Sequence, residues 1–113
     1  MTELTITPTV RDGVQVLVVE GEVDVSSVEV LEAALAGRRH GLPAVADLSL
    51  LTFIDSSGLH ALCKAAEAGR LAAIVRVANS NLSRVLKIVD LDQVVRVFDD
   101  LPAATRHARE HAA

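Results

Sequence analysis

The chain has 113 residues, 50% of them hydrophobic, with 11 basic against 15 acidic side chains and a net charge of -4. That length suits one compact domain with a real core, while the acidic balance and an aromatic content of 2% argue against a phosphate-tracking groove or a platform for stacked bases. A single cysteine excludes an intramolecular disulfide framework.

Met1 to Thr9 has neither a basic n-region nor an apolar h-region, and no run reaches the length of a membrane span. A cytoplasmic protein is expected, with no membrane and no nucleic acid among its partners. Leu4 to Pro8 is predicted as an edge strand. Gly13 signals a turn, and Val14 to Val19 is a β-forming run, broken at Glu20-Gly21, that reads as a central strand. Val25 to Ala36 carries apolar residues at Val28, Leu31 and Leu35 behind an Asp24 or Ser26 cap and before Gly37, which predicts a helix with a glycine stop. Ala44 to Leu48 follows as a strand. A helix from Ser57 to about Ala68, a strand over Leu71 to Ala78 and a helix marked by Leu82, Val85, Leu86 and Val89 come next. Val94 to Val97 is a short strand, and Pro102 to about His111 a final helix whose end, from Arg106 on, is expected to fray. Alternation of this kind implies an α/β or α+β sheet with a mostly parallel centre.

Leu50 to Ile54 is an apolar run that stops at Asp55-Ser56-Ser57-Gly58, after which Leu59, Leu62, Cys63 and Ala66 recur at helical spacing. Asp, Ser and Gly open helices because a short side chain can accept from the unpaired N–H groups of the first turn. Asp55 or Ser56 therefore reads first as a cap. A serine held there is also exposed, and the helix dipole favours added negative charge, so its hydroxyl could carry a phosphate placed by another protein.

Other chemistries lack their partners. The Ser56-Ser57-Gly58 turn has no preceding glycine of a nucleophile elbow, and His60 lies on the same helix as Ser56. No Gly-rich phosphate loop occurs. Cys63 sits in the apolar stripe, where a small buried hydrophobe is expected, and His107 and His111 stand at i, i+4 without an evident third metal ligand. Glu22, Asp24 and Asp47 superficially match the acidic set of a phospho-receiver, but no lysine follows a late strand. No enzymatic activity, cofactor or metal is expected.

Gly21-Glu22-Val23-Asp24, then Asp47-Leu48-Ser49, then Phe53-Ile54-Asp55-Ser56-Ser57-Gly58-Leu59 together resemble the STAS domain of bacterial anti-sigma-factor antagonists, and the order of elements agrees from about Leu4 to His111. The resemblance implies a mixed sheet of about five strands packed by about four helices. It implies partner switching: the unphosphorylated antagonist binds an anti-sigma factor that is also a serine kinase, which frees the sigma factor. Phosphorylation at Ser56 reverses the binding, and a PP2C-type phosphatase restores it. Asp24, Asp55, Ser56, Ser57, Gly58 and His60 are the partner-binding residues so implied. His60 stands where many relatives have glycine, Asn81 where they often have proline, and Asp90-Leu91 replaces a common Gly-Leu turn. The alternative is a STAS-like scaffold or a small-ligand or nucleotide-binding module that does not act on a sigma factor.

Overall fold

The computed structural model describes residues 3–37, 41–75 and 94–111. Asp12 and Gly13 both have positive φ, 53° and 78°, which is the backbone of a two-residue hairpin turn whose twist suits antiparallel strands. It joins β1 (Thr5–Arg11) to β2 (Val14–Val23). Then follow α1 (Val28–Ala36), β3 (Ala44–Ile54), α2 (Ser56–Glu67), β4 (Ala73–Val75), β5 (Arg96–Phe98) and α3 (Leu101–Glu110).

The sheet order is β1-β2-β3-β4-β5, with β1 antiparallel to β2 and each later pair parallel. The expected mixed sheet with a parallel centre is present. Three helices fall among the described residues; the one expected around Leu82 to Val89 lies outside them, as do Asn81 and Asp90-Leu91.

Both sheet faces are covered, so β2 is an almost continuous apolar run rather than an alternating one. On one face Leu17, Val19, Leu48, Leu51, Ile54 and Ile74 pack with Leu31 and Leu35 of α1 and Leu59 and Leu62 of α2. On the other, Val14, Val16, Val45, Ala73 and Val75 pack with Ala104 and Ala108 of α3. Those small residues let the helix lie close to the strands. The last helix is therefore anchored through Ala108, which is fully buried, and does not fray from Arg106 as expected.

β2 and β3 run further than their sequences suggest. Glu20-Gly21 does not end β2: the strand passes through Gly21 at φ 109°, where an added Cβ would overlap the Glu3 carbonyl oxygen. β3 continues past Leu48 to Ile54 because it bulges twice, taking an extra residue between the partners of Val18 and Glu20 and another between those of Gly21 and Glu22. At the first bulge Asp47 Oδ1 accepts from the Ser49 N–H at 3.0 Å and its hydroxyl at 2.7 Å. Near the second, the Thr52 hydroxyl donates to the Gly21 carbonyl at 3.0 Å. Each bulge shifts the pleat by one, so the buried residues Leu48, Leu51 and Ile54 fall at every third position.

Candidate functional site

Parallel strands β2 and β3 end side by side, and the Asp55 N–H donates to the Val23 carbonyl at 3.0 Å. Each strand leads into a turn with the sequence Asp-x-Ser. Asp55 caps α2: its Oδ1 accepts from the N–H groups of Ser57 at 3.0 Å and Gly58 at 3.3 Å, and from the Ser57 hydroxyl at 2.5 Å. Asp24 repeats the arrangement before α1, its Oδ1 accepting from the Ser26 N–H at 2.9 Å, the Ser26 hydroxyl at 2.6 Å and the Ser27 N–H at 3.1 Å. Because this loop is closed by Asp24, α1 begins at Val28 behind Ser27, three residues later than expected.

These bonds set the electrostatics. The Ser57 hydroxyl, helped by the Gly58 and Ser57 N–H groups, holds the Asp55 carboxyl below its ordinary range against partial burial and the neighbouring Asp24 charge. The Ser26 hydroxyl does the same for Asp24, with the Ser26 and Ser27 N–H groups and the Ser27 hydroxyl adding to it against partial desolvation. Both carboxylates are ionised at neutral pH, and the corner they share is acidic.

Ser56 is the first residue of α2 and is exposed; none of the capping bonds uses its hydroxyl. Ser57 is half-buried with its hydroxyl engaged by Asp55. His60 is exposed one turn along. Gly58 is buried, and its missing side chain serves packing: a Cβ there would come within 2.6 Å of Val23 Cγ1 and 2.7 Å of Ile54 Cγ1. The structure thus gathers Asp24, Asp55, Ser56 and Ser57 at one corner, with His60 beside it.

Sequence reading offered Asp24 or Ser26 as the cap of α1, whereas the cap position is Ser27; it missed that Ser26 and Ser27 hold Asp24, although Asp-x-Ser recurring at Asp24, Asp47 and Asp55 was a usable signal. It also missed Val25, 77% exposed beside Asp24. Asp47, weighed above as an acidic-set residue, is occupied within β3 by Ser49. Cys63 is half-buried against the larger core, and burial, with the Glu67 charge, pushes its thiol up. His107 and His111 stack with ring centroids 4.2 Å apart. Among the described residues no three His, Cys, Asp or Glu side chains gather as metal ligands, and no helix is long and apolar enough to cross a membrane.

The fold has close counterparts. A crystal structure of an anti-sigma factor antagonist from Mycobacterium paratuberculosis is 28% identical, covers 95% of each chain and superposes with a TM-score of 0.84. SpoIIAA, an anti-sigma factor antagonist solved in its unphosphorylated form, is 16% identical over 96% of this chain and 98% of its own, with a TM-score of 0.64. The murine anion transporter Slc26a9 carries the same fold in 23% of its length, matching 98% of this chain at 15% identity and a TM-score of 0.72. No curated protein matches the sequence. A family model described as STAS domain matches residues 5–104, which is most of the chain, and the chain therefore belongs to the STAS domain family.

Proposed function

We propose that this STAS domain is an anti-sigma-factor antagonist that binds an anti-sigma factor with serine kinase activity while unphosphorylated, and releases it once Ser56 carries a phosphate. The observation that supports this most is the division of labour in the turn. Asp55 and Ser57 bind each other and cap the helix, whereas Ser56 is exposed and free of that capping network. A kinase can reach it without opening the fold. In the transfer, Ser56 Oγ bonds to the γ-phosphorus of ATP, the bond to the ADP oxygen breaks, and the hydroxyl proton passes to a base of the kinase. The antagonist is a substrate and has no activity of its own. A PP2C-type phosphatase reverses the modification, and the exchange takes place in the cytoplasm.

The direction of the switch follows from charge. Phosphate adds about -1.5 to -2 charges beside two carboxylates that are already ionised. A partner surface that complements two negative charges must accommodate four at the same place, and desolvating the excess weakens the complex. The groove between α1 and α2, lined by Glu32, Lys64 and Arg70 among others, encloses 190 Å³, less than the roughly 300 Å³ at which small-molecule sites begin. A wider depression of 430 Å³ over Pro8–Val10 and Gln15 lies at the far end of β2 from Asp24. The wider one reaches that size but is remote from the Ser56 corner, where the proposed occupant is a protein.

The test is to purify the partner that copurifies with unphosphorylated protein and supply it with ATP. One phosphate at Ser56 is expected by mass spectrometry. Calorimetry should find Ser56→Ala binding as the unmodified protein does and Ser56→Asp binding at least about tenfold more weakly, a difference of about 1.4 kcal/mol. Stoichiometric modification elsewhere, or equal affinities for the two variants, would overturn the reading.

A further inference from the structure

His60 has no part in the capping of α2 and none in the core, yet it occupies the position from which a side chain reaches Ser56. Residues four apart on a helix are surface neighbours, with Cβ atoms about 5–6 Å apart. Side chains also lean toward the helix N-terminus, which brings the first turn within reach of a side chain at position 60. Both residues are exposed and free to adjust. The neighbouring hydroxyl has no such companion: four residues beyond Ser57 is Ala61, which is buried.

We infer that His60 is a positioning residue for the phosphorylated state, donating a charge-assisted hydrogen bond from its imidazolium to the phosphate on Ser56. This rests on Ser56 being the phosphate acceptor. Other charged groups stand on the elements next to His60. Asp24 lies in the turn after β2, Glu29 in the first turn of α1 and Glu32 further along it, with Asp55 before Ser56 and Lys64 one turn beyond His60 on α2. Asp55 is satisfied by Ser57 and Gly58 and Asp24 by Ser26 and Ser27. A phosphate at Ser56 is repelled by both carboxylates, and among the described residues of α2 the basic side chain one helical turn away is His60. The pairing holds the phosphate in a defined place at the mouth of α2 without any change of fold.

The experiment uses the full chain with phosphoserine installed at position 56 by genetic encoding, so that no kinase is needed. The second ionisation of the phosphate is followed by 31P NMR in the otherwise native protein and in His60→Gln and His60→Lys. With the cation removed in His60→Gln, the midpoint should rise by roughly 0.3–0.5 units, as expected for loss of an opposite charge at an exposed site. His60→Lys should restore the lower midpoint, and high salt should narrow the differences. Circular dichroism checks that all three fold alike. Equal midpoints in the three proteins, or a rise in His60→Gln that His60→Lys does not reverse, would overturn the pairing and leave the phosphorylation switch standing. A partner kinase that ignores Ser56 would do the reverse.

Discussion

Asp55 caps α2 with a carboxylate that also brings negative charge to the proposed partner site. Its Oδ1 holds the two N–H groups and the hydroxyl that begin α2, and its charge lies in the corner where a partner is proposed to bind. Asp55→Ala should destabilise the fold by about 1 kcal/mol, the usual worth of an N-cap, measured by urea denaturation, and Asp55→Asn should recover part of it. The pH dependence follows from the depressed carboxyl. Its contribution is complete above the unfolded value near 3.8 and is lost as pH falls through the lower folded value, so wild type and Asp55→Ala should converge in stability only in strong acid. Ser57 was legible in the sequence only as a second hydroxyl of a motif. Its function as the donor to Asp55 needed coordinates, because Asp55, Ser56 and Ser57 can each cap a helix and composition does not choose among them.

At the scale of elements, the helices α2 and α3 were readable to within a residue or so, since their apolar spacing and their capping residues agree. β3 was not readable in full. Two bulges turn its buried positions into Leu48, Leu51 and Ile54, a spacing of three that matches neither the period of a strand nor that of a helix. The devices that make the bulges, the Asp47–Ser49 pair and the Thr52 hydroxyl on the Gly21 carbonyl, involve residues ordinarily found in turns. β2 was shortened for a similar reason, because a glycine inside a strand looks like a stop when its positive φ is unseen. The mouth of α2 packs on the ends of both strands through Gly58. Gly58→Ala would gain helix propensity of up to about 1 kcal/mol but push a methyl into Val23 and Ile54, which are themselves buried. Overpacking should dominate, for a net loss of about 1–3 kcal/mol; a variant as stable as wild type in chemical denaturation would show that the α2 mouth can relax.

Over the whole molecule the two sheet faces are unequal. The face under α1 and α2 holds large aliphatic side chains, whereas α3 is fastened largely by two alanines and the partly buried Phe98 and Leu101. Among the described residues fewer large apolar side chains secure α3, so it should open before α1 and α2. His107 adds a pH term. Burial, then the stacked His111 and then Arg96 keep its ring below the ordinary value of 6.5, with Glu110 opposing. Because the unfolded helix binds the proton more readily, the attachment of α3 weakens as pH falls from that value through the folded one. Amide exchange in Leu101–Glu110 should therefore speed up, relative to α2, between about pH 7.5 and pH 5.5 once intrinsic rates are corrected; parallel behaviour of the two helices would contradict it. The parallel order of the sheet was legible from alternation alone, but that α3 packs on the valines of its face through alanines was not, because Ala104 and Ala108 carry little hydrophobic signal in a polar helix.

The exposed Ser56 among engaged neighbours has a consequence for how such a domain can change over generations. Asp55, Ser57 and Gly58 are each tied to folding, so their replacement is paid for in stability. Ser56 contributes no capping bond, so the chain can lose or regain this hydroxyl, the proposed phosphate acceptor, with little effect on its thermodynamic margin. A lineage without the proposed switch can drop one oxygen atom and keep the scaffold, and one that regains it can do so by a single substitution.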